Sequence, residues 1–320
     1  MKFRRFLLAL LATLPLAATP ALAADKLSLI LDWYVNPDHG PIVIAKEKGF
    51  FRDEGLDVDI IAPADPSAPP KLVAAGQADI AVSYQQQIHL QAHEGLPLLR
   101  VGTLISSPLN CLLTLADGPV KSIADLKGKK VGFSVAGVEE SILQTILTKN
   151  GLKMSDVELI NVNWSLAPSL MSKQVDAVIG AYRNVELNQM AVEGVKGRCF
   201  FVEEEGVPPY DELIYVANAK TMDKGKISRF LAATEKATQF ILNHPQESYE
   251  IYASTAKELQ DEANKRAWFD TLPRFALRPA ALDIGRYRRY EAFLREHGLV
   301  PALLPVNKIA IDVNAEEPAQ

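Results

Sequence analysis

The chain holds little that would tie it to a metal, a nucleic acid or a bilayer. Cys111 and Cys199 are its only cysteines among 320 residues, too few and too far apart in sequence for a metal framework. Two isolated buried thiols are expected in preference to a bridge, since spacing alone does not fix disulfide geometry. His39 has no second histidine at ligand spacing, and no bound metal is expected. With 34 basic and 39 acidic residues the formal net charge is −5, so the clustered basic excess of a nucleic-acid footprint is missing. After the first two dozen residues no stretch is both apolar and close to the roughly 20 residues that a membrane span requires.

What is present begins with Met1-Lys2-Phe3-Arg4-Arg5, a leucine- and alanine-rich run broken by Pro15 and Pro20, and then Ala21-Leu22-Ala23. These are the basic, apolar and small-residue parts of a secretory signal. The expectation is a signal peptide over residues 1–23, a mature chain starting at Ala24 and a periplasmic product. No cysteine stands directly after the signal, so a lipid anchor is not expected, and loss of Lys2, Arg4 and Arg5 leaves the mature chain more acidic. The remaining length suits two domains or one large one.

The rest is organised around residues 27–60. Leu27-Ser28-Leu29-Ile30-Leu31 has the apolar character of a buried parallel strand, and Asp32-Trp33-Tyr34-Val35-Asn36-Pro37-Asp38-His39-Gly40 leads from it into a helix start at Pro41. In open α/β sheets ligands sit beyond the carboxyl ends of strands, which puts Asp32, Trp33, Asn36 and His39 where a ligand would be. An alternating strand follows over residues 56–61. Residues 78–82 form another short strand, ending in Ser83-Tyr84, so a second strand end delivers a tyrosine to the same cleft. A chain crossing is expected near residues 106–108. Beyond it, the strand ending at Phe133 opens through Ser134 and Glu139 into a helix whose first N–H groups are free for a polar ligand group. Gly76-Gln77-Ala78-Asp79-Ile80-Ala81 and Ser172-Lys173-Gln174-Val175-Asp176-Ala177-Val178 share one pattern. Each is a polar turn and then an aspartate opening an apolar strand that ends in a tyrosine, Tyr84 or Tyr182, as two similar α/β halves facing each other would produce. A second crossing is expected near residues 208–212, where Asp211 and Glu212 either line the cleft or flank the crossing. The helices after residue 226 are expected to pack back on the first lobe and to add little chemistry. Residues 313–320 read as a frayed acidic tail.

Leu31-Asp32-Trp33, Asn36-Pro37, His39, Lys48-Gly49-Phe50-Phe51, Glu54-Gly55-Leu56-Asp57-Val58 and Gly76-Gln77-Ala78-Asp79 together resemble the substrate-binding proteins of ABC importers related to thiamin-pyrimidine synthases. Through Asp32-Trp33, Tyr84 and Tyr182-Arg183-Asn184-Val185-Glu186 the chain looks most similar to the formylaminopyrimidine binders of thiamin salvage. The resemblance implies an α/β, two-lobed periplasmic-binding-protein fold (type II-like) with a ligand cleft between lobes. One lobe would comprise residues 24–107 and 218–312, the other residues 108–217. It also implies a monomer serving a membrane permease. Fungal relatives of the group are enzymes that make the pyrimidine from histidine and pyridoxal phosphate with iron, using a lysine after the strand matching residues 79–82 and a later cysteine cluster. Here the matching segments are Val82-Ser83-Tyr84 and Gly206-Val207-Pro208-Pro209-Tyr210, with neither residue type. Binding without catalysis or cofactor is the expectation.

A flat polar heteroaromatic ring asks for aromatic faces and for edge partners. Trp33, Tyr84 and Tyr182 are the candidate faces, each with core packing as the alternative. Glu186 is the candidate acceptor for an exocyclic amino group and a protonated ring nitrogen, with a solvated helix-start glutamate as the alternative. Asp32, Asn36 and His39 hold the loop or touch the ligand, a structural hydrogen bond being favoured for His39. Ser134 and Glu139 are candidates to meet a polar tail of the ligand through the helix start, with an ordinary helix start as the alternative. His89, His93 and His244 read as ordinary surface or packing residues. A riboflavin, sulfonate or other nutrient binder of the same fold, and a pyrimidine-forming synthase, stay open as alternatives.

Overall fold

The computed structural model describes residues 23–315; all but the last residue of the signal expected over residues 1–23, and the last part of the expected tail, lie outside them. After β1 (Asp25–Ile30) the chain enters α1 (Gly40–Glu47) and α2 (Phe50–Asp53), then β2 (Leu56–Ile61), α3 (Pro69–Ala74), β3 (Ile80–Ser83), α4 (Gln85–His93) and β4 (Leu98–Ile105). It crosses into β5 (Asn110–Leu115), β6 (Lys130–Phe133), α5 (Val138–Lys149), β7 (Glu158–Asn161), α6 (Leu166–Met171), β8 (Ala177–Tyr182), α7 (Glu186–Val192) and β9 (Gly197–Phe201). It returns through β10 (Leu213–Asn218) and ends in α8 (Lys224–Asn243), α9 (Pro245–Ser254), α10 (Glu262–Thr271) and α11 (Ile284–Glu296).

Two five-stranded sheets result, ordered β2-β1-β3-β10-β4 and β7-β6-β8-β5-β9. Each has three parallel strands, followed by an antiparallel strand that a chain crossing has just delivered, β10 in the first lobe and β5 in the second. The repeated aspartates do the same work in both. Asp79 accepts from Ser28 N at 2.8 Å, and Asp176 accepts from Lys130 N at 3.0 Å, each fixing the start of its strand against its parallel neighbour. With the halves built alike, the carboxyl ends of β1, β3, β6 and β8 meet at one cleft, as the parallel α/β rule requires.

Two expectations need correction. Cys111 and Cys199 are joined in a disulfide, with Cα atoms 5.5 Å apart. The antiparallel ladder between β5 and β9 places them one diagonal step apart, bringing together residues 88 positions distant in sequence. The C-terminal helices also do more than cover the first lobe: α10 packs on α7 of the second, with Asn188 Nδ2 donating to Asp270 at 2.8 Å. His89 and His93, one turn apart on α4, both bond the Glu291 carboxylate of α11, at 2.5 and 2.7 Å. That pins α11 to the first sheet's flank, while His244 stays exposed.

Candidate functional site

The loop after β1 is built from its own hydrogen bonds. The Asn36 side chain caps the turn at Pro37–His39 by accepting from Asp38 N at 2.9 Å, while Asn36 N donates to His39 Nδ1 at 3.2 Å. Because Nδ1 is the acceptor, Nε2 carries the hydrogen and donates to Asp32 Oδ1 at 2.9 Å. Tyr84, at the end of β3, donates its hydroxyl to Asp32 Oδ2 at 3.0 Å. Both oxygens of Asp32 are thereby fixed before any ligand arrives.

Across the cleft, Glu139 and Glu186 stand in the first turns of α5 and α7. Glu139 accepts from Ser134 N and Glu186 from Tyr182 N, both at 2.6 Å. Gly180 is in the left-handed region, at φ 95°, and a Cβ there would run into the Glu139 carboxylate. Glycine is what lets that carboxyl lie against β8. Ser134 Oγ also bonds the Asn163 carbonyl. Asn163, at φ 52°, turns the chain so that Trp164 meets Trp33 edge-on at 4.4 Å between ring centroids. At the hinge, Glu212 of the second crossing accepts from Leu109 N at 2.6 Å and Asn110 N at 2.9 Å of the first, and from the Tyr210 hydroxyl.

These groups surround one cleft with about 540 Å³ of space free of protein atoms, its mouth included. Of the nine residues expected at the site, Asp32, Trp33, Asn36, Tyr84, Glu139, Tyr182 and Glu186 line it. His39 and Ser134 do not; they stand behind Asp32 and Glu139 and hold them. Glu212 joins the lining, and Asp211 turns away to Arg286, Thr103 and Tyr287. Sequence reasoning missed Asn110 and Gly180, which line the cleft, and Trp164, which packs on Trp33. Trp164 follows the end of β7, so the strand-end rule that singled out Tyr84 could have found it; nothing local marks the other two.

The electrostatics are one-sided. Burial pushes Glu139 up to about 8, Glu186 to about 7 and Glu212 to about 7, against the pull of the backbone N–H groups they accept. Burial also raises the phenols of Tyr84 and Tyr182, which keeps them protonated donors. No lysine, arginine or histidine is among the residues lining the cleft. The Tyr182 hydroxyl, buried, has no partner among the described residues. Such a lining suits a neutral or cationic ligand rich in N–H donors and repels an anion.

The family model described as NMT1/THI5 like matches residues 36–248. The chain belongs to the NMT1/THI5-like family. Among its relatives, a Haemophilus influenzae protein whose name ties it to thiamine biosynthesis is 50% identical, with 98% of each chain covered. The formylaminopyrimidine-binding protein of Halalkalibacterium halodurans is 36% identical over 76% of this chain and 73% of its own. More distant is a Legionella pneumophila 4-amino-5-hydroxymethyl-2-methylpyrimidine phosphate synthase, 25% identical over 85% of this chain and 89% of its own. Among solved structures, the alkanesulfonate-binding protein of Xanthomonas axonopodis pv. citri superposes with TM-score 0.71 at 16% identity, covering 91% of this chain and 99% of that one. A Candida albicans protein described as having the generic periplasmic binding protein fold gives TM-score 0.71 at 17% identity, covering 93% and 99%. The fold is thus that of periplasmic binding proteins, two α/β lobes with the cleft between them.

Proposed function

We propose that this protein is the periplasmic solute-binding protein of an ABC importer, that it captures a thiamin pyrimidine precursor of the formylaminopyrimidine or hydroxymethylpyrimidine type, and that it delivers it to a permease in the inner membrane. The observation that carries the reading is the cleft lining: buried carboxyls, an unpartnered tyrosine hydroxyl, aromatic faces and no cationic side chain. An aminopyrimidine presents an exocyclic amino group and a basic ring nitrogen. Glu186 accepts from the amino group and from the ring nitrogen in its protonated form, Trp33, Tyr84 and Tyr182 cover the ring, and Glu139 meets the polar tail. The name of the 36% identical relative supports the same ligand class, and the disulfide suits an oxidising compartment. Among the described residues no helix is long and apolar enough to cross a membrane.

A sulfonate binder would need a cation facing the cleft, and none lines it. A synthase working through pyridoxal phosphate would need a lysine there to form an imine, and that too is missing from the lining. The test is a thermal-shift screen with formylaminopyrimidine, hydroxymethylpyrimidine, thiamin, riboflavin and alkanesulfonates, because a ligand that binds only the folded state raises the midpoint by mass action. An aminopyrimidine is expected to give the largest rise. A rise with a sulfonate or riboflavin and none with any aminopyrimidine rejects the proposal.

A further inference from the structure

Outside the cleft lining, one buried polar group joins the two lobes. Asp38 of the first lobe is wholly buried and accepts from Asn184 Nδ2 at 2.6 Å; its Oδ1 also lies 3.2 Å from Thr271 Oγ1, whose one hydrogen it shares with the Ala267 carbonyl at 2.7 Å. Asn184 is buried too, in the segment between β8 and α7 of the second lobe, and its Nδ2 also donates to Thr271 Oγ1 at 2.7 Å. Two acceptors are left over. Asp38 Oδ2 and Asn184 Oδ1 are both buried without a partner among the described residues. Each alone would be costly, and here they belong to two groups already bonded to one another. A carboxylic acid and a primary amide can bond twice, amide N–H to one carboxyl oxygen and acid O–H to the amide oxygen. The first bond is in place, and a single proton on Asp38 Oδ2 would supply the donor that a second bond, to Asn184 Oδ1, needs.

We propose that Asp38 and Asn184 form a proton-bridged latch that holds the two lobes shut over the cleft. Asp38 is then a positioning residue, since it does not line the cleft. The effect on ligand affinity rests on the solute-binding reading above; the effect on lobe closure does not.

Burial raises Asp38 from its ordinary 3.8 to about 6, despite the donors from Asn184 and Thr271. The titratable groups around it are His39 on its own turn, Asp32 from the loop after β1, Tyr182 and Glu186 from the second lobe, and Tyr252 from α9. His39 and Asp32 are bonded to each other, and both phenols stay neutral. Glu186 titrates at about 7 and takes its hydrogen bond from Tyr182 N. If opening returns Asp38 to solvent and to its ordinary value, the closed form binds the extra proton. Closure is then favoured as pH falls through about 6, by about tenfold in the closing equilibrium between about pH 7 and about pH 5.

Small-angle scattering of the ligand-free protein measures lobe separation directly, at a pH below and a pH above the Asp38 value. Wild type is expected to be more open at the higher pH. Asp38→Asn, whose amide carries the second hydrogen permanently, is expected to be closed at both, and Asn184→Ala open at both. If Asn184→Ala does not fold, Asn184→Asp replaces it, with two facing carboxylates expected to open the higher-pH form. Opening of Asp38→Asn to the extent of Asn184→Ala, an unchanged lobe separation in Asn184→Ala at low pH, or an unchanged separation in Asn184→Asp at the higher pH, overturns the latch. Titration of the same proteins with formylaminopyrimidine separates the two proposals. If scattering behaves as stated but no variant binds the aminopyrimidine, the latch stands and the ligand assignment fails. Tight binding with pH-independent scattering in all variants rejects the latch alone.

Discussion

Gly180→Ala places a methyl group where the Glu139 carboxyl lies, on a backbone held at φ 95°. Two costs add. Holding an alanine in the left-handed region costs about 1–2 kcal/mol. Displacing Glu139 breaks its buried bond from Ser134 N, and leaving that buried donor unsatisfied costs about 1–3 kcal/mol. The sum, about 2–5 kcal/mol, corresponds to a fall in Tm of roughly 4–15 °C for a chain of this size. Calorimetry of the ligand-free protein reads it. Glu139→Ala in the same background removes the collision and leaves only the backbone cost, so the double variant is expected to be more stable than the sum of the single losses implies. A fall of less than about 2 °C in Gly180→Ala, or strict additivity with Glu139→Ala, would refute the account of why a glycine stands there.

Trp33→Ala is expected to weaken aminopyrimidine binding by about 10–100-fold, the worth of one ring-stacking face, while leaving Tm nearly unchanged because Trp33 is only partly buried. A large loss of stability with unchanged affinity, measured by calorimetry and titration, would return Trp33 to the core. Glu139, Glu186 and Glu212 sit at about 8, 7 and 7 in the folded protein against an ordinary 4.5. The folded form therefore holds more protons than the unfolded one between these values, and ligand-free stability should fall as pH rises across that window. Urea denaturation at its two ends tests the sign, and equal or greater stability at the alkaline end contradicts the burial of these carboxyls.

Much of the frame is legible in the chain itself. Residues 27–31 read as a buried parallel strand because they are apolar without alternation, and β1 pairs in parallel on both sides. The repeated aspartate before residues 80 and 177 marked two alike halves, and Tyr84 and Tyr182 followed because strand ends in such sheets face the cleft. These are local rules of period and polarity, readable from neighbours in sequence.

The rest depends on contacts between residues far apart. The ladder of β5 with β9 decides that Cys111 meets Cys199, and the two crossings decide that Glu212 grips Leu109 and Asn110 while facing the cleft. Sequence order gives no hint that α10 reaches the second lobe, where Thr271 and Asn184 meet Asp38. Nor does it say that Ser134 stands behind the lining and not in it. The sequence by itself determined the strands, the helix starts and which aromatic and acidic residues lie at strand ends, because each follows from a few adjacent side chains. Only the tertiary structure decided which carboxyls are buried, which are held by donors and which oxygens are left without one, because burial and hydrogen-bond satisfaction are properties of the packed whole.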